Sequence, residues 1–408
     1  MEQYTFIENI EIKEYQSFII NSEVVSFMQD FNWASVKKDW KSFRLGLYHN
    51  KKLVAVGLLL IKKIIKGIYI GYLPRGFVGD LSDEKIVKNF TEGLKKVAKE
   101  NHCYMIKIDP NFCFQETSIS EIKKNEKTDI PIILSKNSEQ YHKTLLAHHY
   151  KHKGYPKELS KTFQPRFHMM VPLIDKDFEH FTEEEFIKSY KRKIRDRIGN
   201  YHTKRGVFFE HTTDKKYLND FMNIIKETEK RQDIHLRNKE YFEIIMNKFH
   251  EKAVLFFGKV NLHTYLNFLE NNNGKHEEIQ LIKKLIASGK DIMTLSAAFV
   301  IMPTNQSGIR ISEYLYAGNQ LLANKLQVSL GLVFEICKYS IEQNCSYCNL
   351  GGVDGNLNDH LSIFKSTFNP IVMEFAGEYD LPIKKYLYYP IEIFLPVLKK
   401  IYKIFIKK

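Results

Sequence analysis

The chain has 408 residues, 44% hydrophobic and 27% charged, enough apolar surface for two or three packed units and too much for a disordered or fibrous chain. Lys plus Arg is 61 against 48 Asp plus Glu, so the net charge is +13. Such a field attracts nucleic acid, anionic lipid or phosphorylated substrates, although a lysine-rich genome gives the same excess. Five cysteines do not form a disulfide framework, which predicts a reducing compartment.

In chain order, residues 11–42 read as helices carrying Phe27, Phe31, Trp33 and Trp40. Arg44–Tyr48 and Leu53–Ile61 read as strands joined at His49-Asn50-Lys51, and Ile68–Leu73 as a strand halted by Pro74-Arg75-Gly76. Leu53–Ile61 is too short to span a bilayer, and the polar start after Met1 lacks a signal-peptide pattern. Asp83–Asn101 predicts a helix and Tyr104–Ile108 a strand ending at Asp109-Pro110. Residues 111–160 read as a polar connection with a His-rich helix from His142 to His152. His148 and His152 are spaced as ligands but lack a carboxylate or cysteine partner, so a basic solvated face is the better reading.

A second unit begins near Thr162. It predicts a Glu183–Tyr201 helix, a Val207–Glu210 strand, two helices across Tyr217–Lys252, and strands at 253–260, 295–302 and Ile311–Tyr316. Leu262–Glu270 and Lys275–Ala287, split by Asn271-Asn272-Asn273-Gly274, predict a helical hairpin. Gln320–Gln343 reads as one long helix and Tyr347–Leu350 as a strand entering a glycine turn. The fold class is α+β, with two units of comparable order: residues 1–155, and residues 156–385 with the hairpin inserted at 261–290.

Charge concentrates in two places. Lys188 to Arg205 holds eight basic residues opposed only by Asp196, either an exposed helix face or a surface for phosphate backbone. Residues 386–408 form a basic amphipathic helix in which Lys399, Lys400, Lys403 and Lys407 share about 100° of arc. It either lies on an anionic leaflet or docks on the protein's own core. Cys345-x-x-Cys348 has no second pair, and no metal is predicted. No Walker loop, dinucleotide fingerprint or GxSxG elbow occurs.

A set of short motifs runs through nearly the whole chain: Gln29–Trp40 with Trp33, Lys37 and Trp40; Tyr72-Leu73-Pro74-Arg75-Gly76; Lys107-Ile108-Asp109-Pro110; and Gln164-Pro165-Arg166. Further on come Lys191–Arg197 before Arg205-Gly206-Val207, Glu227–Tyr241, Tyr314–Asn319, Asn349–Gly355, Phe364-Lys365 with Phe368, and Glu374–Pro382. In this order they resemble the FemABX family of peptidoglycan-bridge aminoacyltransferases, most closely its MurM-like branch. The resemblance implies two GNAT-like subdomains and a helical arm, for which residues 261–290 are short.

It also implies aminolysis. An amine of a peptidoglycan precursor attacks the ester of an aminoacyl-tRNA, with no metal or redox cofactor because the ester is already activated. Lys37 and Arg237 would grip the precursor's phosphates, with Tyr241, Tyr104, Tyr316 and Arg75 as further substrate contacts. Asp109 would orient the amine or take its proton. Lys365 would answer the oxyanion and the charge of the RNA terminus, with Phe364 against the terminal adenosine. Lys191, Arg192, Lys193, Arg195 and Arg197 would hold tRNA. The acceptor would be lipid II or the soluble UDP-MurNAc-peptide, and the place of action the cytoplasmic face of the membrane, held there by the C-terminal helix. Rival expectations are an acyl-CoA-dependent GNAT enzyme, whose R/Q-x-x-G-x-G/A loop is missing, and a non-catalytic tRNA- or membrane-binding protein. As plain residues, Lys37 reads as a solvated helix lysine, Asp109 as a turn residue and the tyrosines as core.

Overall fold

The computed structural model describes residues 3–394. Its strands in the first half are β1 (Tyr4–Ile7), β2 (Lys41–His49), β3 (Lys52–Ile65), β4 (Ile68–Leu73), β5 (Val78–Gly79), β6 (Cys103–Ile108), β7 (Cys113–Ser118) and β8 (Lys151–His152). Those of the second half are β9 (Phe167–Pro172), β10 (Val207–Thr212), β11 (Ala253–Asn261), β12 (Ile292–Ile301), β13 (Ile311–Asn319), β14 (Tyr347–Val353), β15 (Ile371–Phe375) and β16 (Tyr379–Pro382).

Two mixed sheets result. The first runs β1-β2-β3-β4-β6-β16-β8, with β5 beside β3; the second runs β10-β11-β12-β13-β14-β9-β15-β7. Each repeats one plan: an antiparallel meander, then a single parallel pair, β4 with β6 and β13 with β14. A parallel pair needs a crossover, supplied here by the helices Glu84–Glu100 and Val328–Glu342. Glu84–Glu100 forms because Asp83 caps the amides of Lys85 and Ile86 while Ile86, Val87, Phe90, Leu94 and Val97 recur on one buried face.

The sheets also exchange strands. β7 leaves the first half of the sequence to pair with β15, while β16 returns from the far end to pair with β6 and β8. The 155/156 boundary is therefore crossed in both directions. One apolar cluster joins the halves: Val56, Leu58 and Leu60 of β3 share it with Leu255, Phe257, Phe299 and the helices Leu218–Gln232 and Lys239–Phe249.

Three helical expectations change. The His-rich helix spans Ser138–Ala147 only; Lys151–His152 is a strand, because Tyr379 and Asp380 offer it a ladder. Glu183–Tyr201 is broken into Glu183–Lys188 and Arg192–Asp196 followed by a wider turn, since Tyr190 turns inward and donates to the carbonyl of Phe368 at 2.9 Å. Gln320–Gln343 breaks at Gln327, whose φ of 53° ends one helix before the next begins. The hairpin is present as Leu262–Asn271 and His276–Ala287. Residues 385–394 are helical; Lys399, Lys400, Lys403 and Lys407 lie outside the described residues. Among the described residues no helix is long and apolar enough to cross a membrane.

Candidate active site

Both parallel pairs aim chemistry from their carboxyl ends, where open sheets present ligand sites. In the first sheet, Leu73 and Ile108 are paired neighbours, so the chain leaves β4 into Pro74-Arg75-Gly76 beside Asp109. Gln29 fixes that turn: its amide donates to the carbonyl of Pro74 at 2.6 Å and accepts from the amide of Leu58 at 2.9 Å. A Cβ at Gly76 would lie 2.5 Å from the Gln29 amide, so glycine is required. Asp109 Oδ1 accepts from the amide of Arg75 at 3.0 Å, and Oδ2 lies 3.8 Å from Arg75 Nε with no hydrogen-bond partner among the described residues. Burial pushes the Asp109 carboxyl up to about 6, against the opposing pull of the Arg75 cation.

Arg75 connects this corner to the second sheet. Its guanidinium is 3.1 Å from His168 Nε2, donates to the carbonyl of Pro165 at 3.3 Å and lies 4.0 Å above the Phe375 ring. Burial, with the neighbouring Arg75 cation, pulls His168 down to about 3, so its ring is neutral. His168 Nδ1 is 3.0–3.2 Å from the side-chain amide of Asn349, whose Nδ2 donates to Glu313 at 2.8 Å and whose Oδ1 accepts from the amide of Gly351 at 2.9 Å. Burial raises Glu313 to about 8. The β13–β14 ladder stops at Glu313↔Asn349, so the glycines beyond leave the pairing, Gly351 with φ of +82°. There the buried Lys365 donates to the carbonyl of Gly352 at 2.9 Å. Burial lowers Lys365 to about 8. Phe364 is half-buried, 5.4 Å from the Phe368 ring.

A second cluster of cations and phenols forms where the helix Asn32–Val36 meets Lys239–Phe249. Lys37 Nζ sits 4.9 Å from the Trp33 ring, and burial, then the charges of Arg237 and Lys62, lower it to about 8. Arg237 lies 5.3 Å from the Tyr241 ring, and a hydrogen bond with Tyr316 raises its pKa; the Tyr316 and Tyr241 hydroxyls are 3.4 Å apart. Trp40 relates the clusters, taking Lys62 at 5.5 Å on its ring and lying 6.4 Å from Tyr72, whose raised pKa reflects burial and then Asp109.

Thus Lys37, Arg237, Tyr241 and Tyr316 meet in one place, and Asp109, Arg75 and Lys365 are joined through His168 and Asn349. Tyr104 joins neither; it is buried against Ile70, Met105 and Tyr388. Sequence reasoning passed over His168, Glu313 and the Lys107–Glu378–Asp380 ion group, with contacts of 2.6 and 2.7 Å. The Gln164-Pro165-Arg166 motif just before His168 was the available signal.

Lys191, Arg192, Lys193 and Arg195 are exposed and Arg197 half-exposed. Arg192 pairs with Asp196 at 3.7 Å; Arg205 is stacked between Tyr201 and Phe268 at 3.6 and 4.0 Å. Lys191 lines a cavity of about 580 Å³ with Ser366 and Thr367, the residues that follow Lys365. The His142 and His152 rings meet edge-on at 5.3 Å and each lies tilted against Tyr379, and Cys345 and Cys348 are buried free thiols. Among the described residues no group of three or more His, Cys, Asp or Glu is placed to hold a metal ion.

The FemAB family model matches residues 10–278 and 270–395. The chain belongs to the FemAB family. It is 28% identical over 434 residues to the lipid II:glycine glycyltransferase of Staphylococcus epidermidis and 26% identical over 439 residues to that of Staphylococcus aureus, covering 96% of both chains in each case. A crystal structure of FemX matches with a TM-score of 0.75 at 23% identity, over 96% of this chain and 100% of that one. The fold is that of FemX, two mixed sheets built on one plan, and the chain is an aminoacyltransferase.

Proposed function

We propose that the chain transfers an amino acid from an aminoacyl-tRNA to the stem-peptide amine of lipid II, building an interpeptide bridge. One observation carries this reading: Asp109 and Lys365 sit at the ends of a single buried chain of contacts through Arg75, His168, Asn349 and the Gly351-Gly352 turn. A base and an oxyanion cation held by one rigid network suit acyl transfer, which needs both at fixed separation.

The amine attacks the ester carbonyl, the tetrahedral oxyanion collapses, and the RNA 3′ oxygen leaves with a proton. Asp109 Oδ2, buried and 3.8 Å from Arg75 Nε, takes the ammonium proton formed on attack. Lys365 stabilises the oxyanion with its cation, and Phe364 offers the terminal adenosine a ring. Lys37 and Arg237 hold the precursor's diphosphate, with Tyr241 and Tyr316 orienting the guanidinium. Tyr104 belongs to the apolar cluster against which Trp40 packs, and so supports Trp40 rather than touching the precursor. Lys191, Arg192, Lys193, Arg195 and Arg197 contact the RNA backbone, and Lys191 shares a cavity with Ser366 and Thr367, the residues next to Lys365 in sequence. The basic C-terminal segment keeps the protein at the cytoplasmic leaflet.

The test is to incubate the pure protein with a panel of charged tRNAs and lipid II and weigh the product. A precursor heavier by one aminoacyl residue is expected. Transfer from acetyl-CoA, or no transfer from any charged tRNA, would overturn the proposal.

A further inference from the structure

The β3–β4 hairpin projects a tip of Lys62-Lys63-Ile64-Ile65-Lys66-Gly67 that no element described above covers. All six residues are exposed, and Ile64 and Ile65 leave 51% and 58% of their surface in solvent. Two adjacent aliphatic side chains so exposed at the end of a fourteen-residue strand need a reason, because single turn residues here are ordinarily polar. Along the chain, the charge flanking them has one sign. Between Asp39 and Asp80 the sequence has no acidic residue and eight Lys and Arg.

The neighbourhood extends the pattern. Directly beside the tip, Ile68, the ladder partner of Ile65, packs on Ile70, Tyr104, Met105 and Tyr388, and Leu387 and Ile391 of the helical segment 385–394 cover the same cluster. That segment leaves Ile393 and Phe394 exposed at 67% and 60%, while its acid, Glu392, is neutralised by Lys153 at 2.6 Å. Beyond Phe394 the sequence continues with five lysines and no acid.

We propose that the β3–β4 tip is a membrane-contacting element that inserts Ile64 and Ile65 among the headgroups of an anionic bilayer, with Lys63 and Lys66 on the lipid phosphates. It acts as a second anchor beside the C-terminal segment. Two rival occupants fit less well. An RNA backbone would use the lysines and leave the isoleucines in water. A second copy meeting tip to tip would bring like charges together. The position also has a purpose, which rests on the lipid II reading above: a lipid-linked diphosphate sits at headgroup depth. Lys62, the first residue of the tip, lies over Trp40 and its charge reaches Lys37. Docking the tip therefore brings the diphosphate-gripping cations down to the depth of their ligand.

The experiment compares the full chain with Ile64→Ser/Ile65→Ser and Lys63→Gln/Lys66→Gln by co-sedimentation with phosphatidylglycerol/phosphatidylcholine vesicles. Each double variant is expected to bind at least about tenfold more weakly, and the lysine pair to lose most of the salt dependence. Transfer to the soluble nucleotide-linked precursor should be unchanged, while transfer to the lipid-linked one in vesicles falls. Wild-type vesicle binding in both variants would overturn the inference. So would a concentration-dependent dimer, or binding of charged tRNA, that the variants abolish while vesicle binding persists. If vesicle binding falls as expected but no aminoacyl transfer occurs to any precursor, the anchor stands and the proposed function fails instead.

Discussion

At the scale of single residues, the proposal turns on two ionisable groups whose burial has moved them toward neutrality from opposite sides. Asp109 is a base only when ionised, so transfer at saturating substrates should rise as pH increases through about 6. Lys365 stabilises an oxyanion only when protonated, so the rate should fall as pH passes about 8, and Lys37, near the same value, loses its phosphate grip there too. The expected profile is a bell with its plateau between those limits. Asp109→Asn should flatten the acid limb. A limb that survives the substitution would assign it to the precursor's own amine. Lys365→Met should lower the plateau at least about tenfold, roughly 1.4 kcal/mol of transition-state stabilisation. Its melting temperature should change little, because methionine keeps the apolar stem and gives up one hydrogen bond to Gly352. Turnover equal to the parent would remove Lys365 from the mechanism.

At the scale of elements, the basic segment is the sharpest case of what a sequence conveys and what it withholds. Its charge was legible because eight basic residues stand nearly unopposed from Lys188 to Arg205. Its shape was not, because the break at Ser189–Lys191 is set by Tyr190 reaching Phe368, a residue 178 positions away. The apolar strands β3, β11 and β12 announced themselves by continuous β-prone runs. By contrast β7, β8, β15 and β16 are short and partly polar, and exist only because distant strands offer ladders. Likewise the Lys37–Arg237 pairing was accessible only through family motifs, since no local spacing places residue 37 beside residue 237. If the broken segment holds RNA, Lys191→Gln/Lys193→Gln/Arg195→Gln should weaken charged-tRNA binding and reduce its salt slope by about two units or more. Affinity for the peptidoglycan precursor should not move. Filter binding at several salt concentrations measures both, and an unchanged slope would mark the segment as an ordinary solvated face.

At the scale of the whole molecule, the strand exchange makes two similar subdomains into one unit. The first sheet is incomplete without β16 from the end of the described chain, and the second without β7 from the first half. The site depends on the same exchange: Lys107 and Asp109 belong to β6 and its exit, and β16 lies beside them, its Asp380 at 2.7 Å from Lys107. Glu378, just before β16, binds the same lysine at 2.6 Å and adds to the upward push on Asp109. Duplicated domains joined by a simple linker unfold independently, in separable transitions. Here neither half can lose its fold without removing a strand from the other, and the shared cluster of Leu58, Phe257 and Phe299 would be exposed as well. Calorimetry should therefore show one endotherm whose van't Hoff enthalpy approaches the calorimetric value, provided unfolding is reversible. Removing the pairing of β16, for example with Leu381→Pro, should lower that single transition, because proline deletes a ladder hydrogen bond to β6 in the sheet interior. Two resolved transitions in the parent protein would mean that the halves are coupled only by contact, and that Asp109 and Lys365 are not held at a fixed separation by the fold.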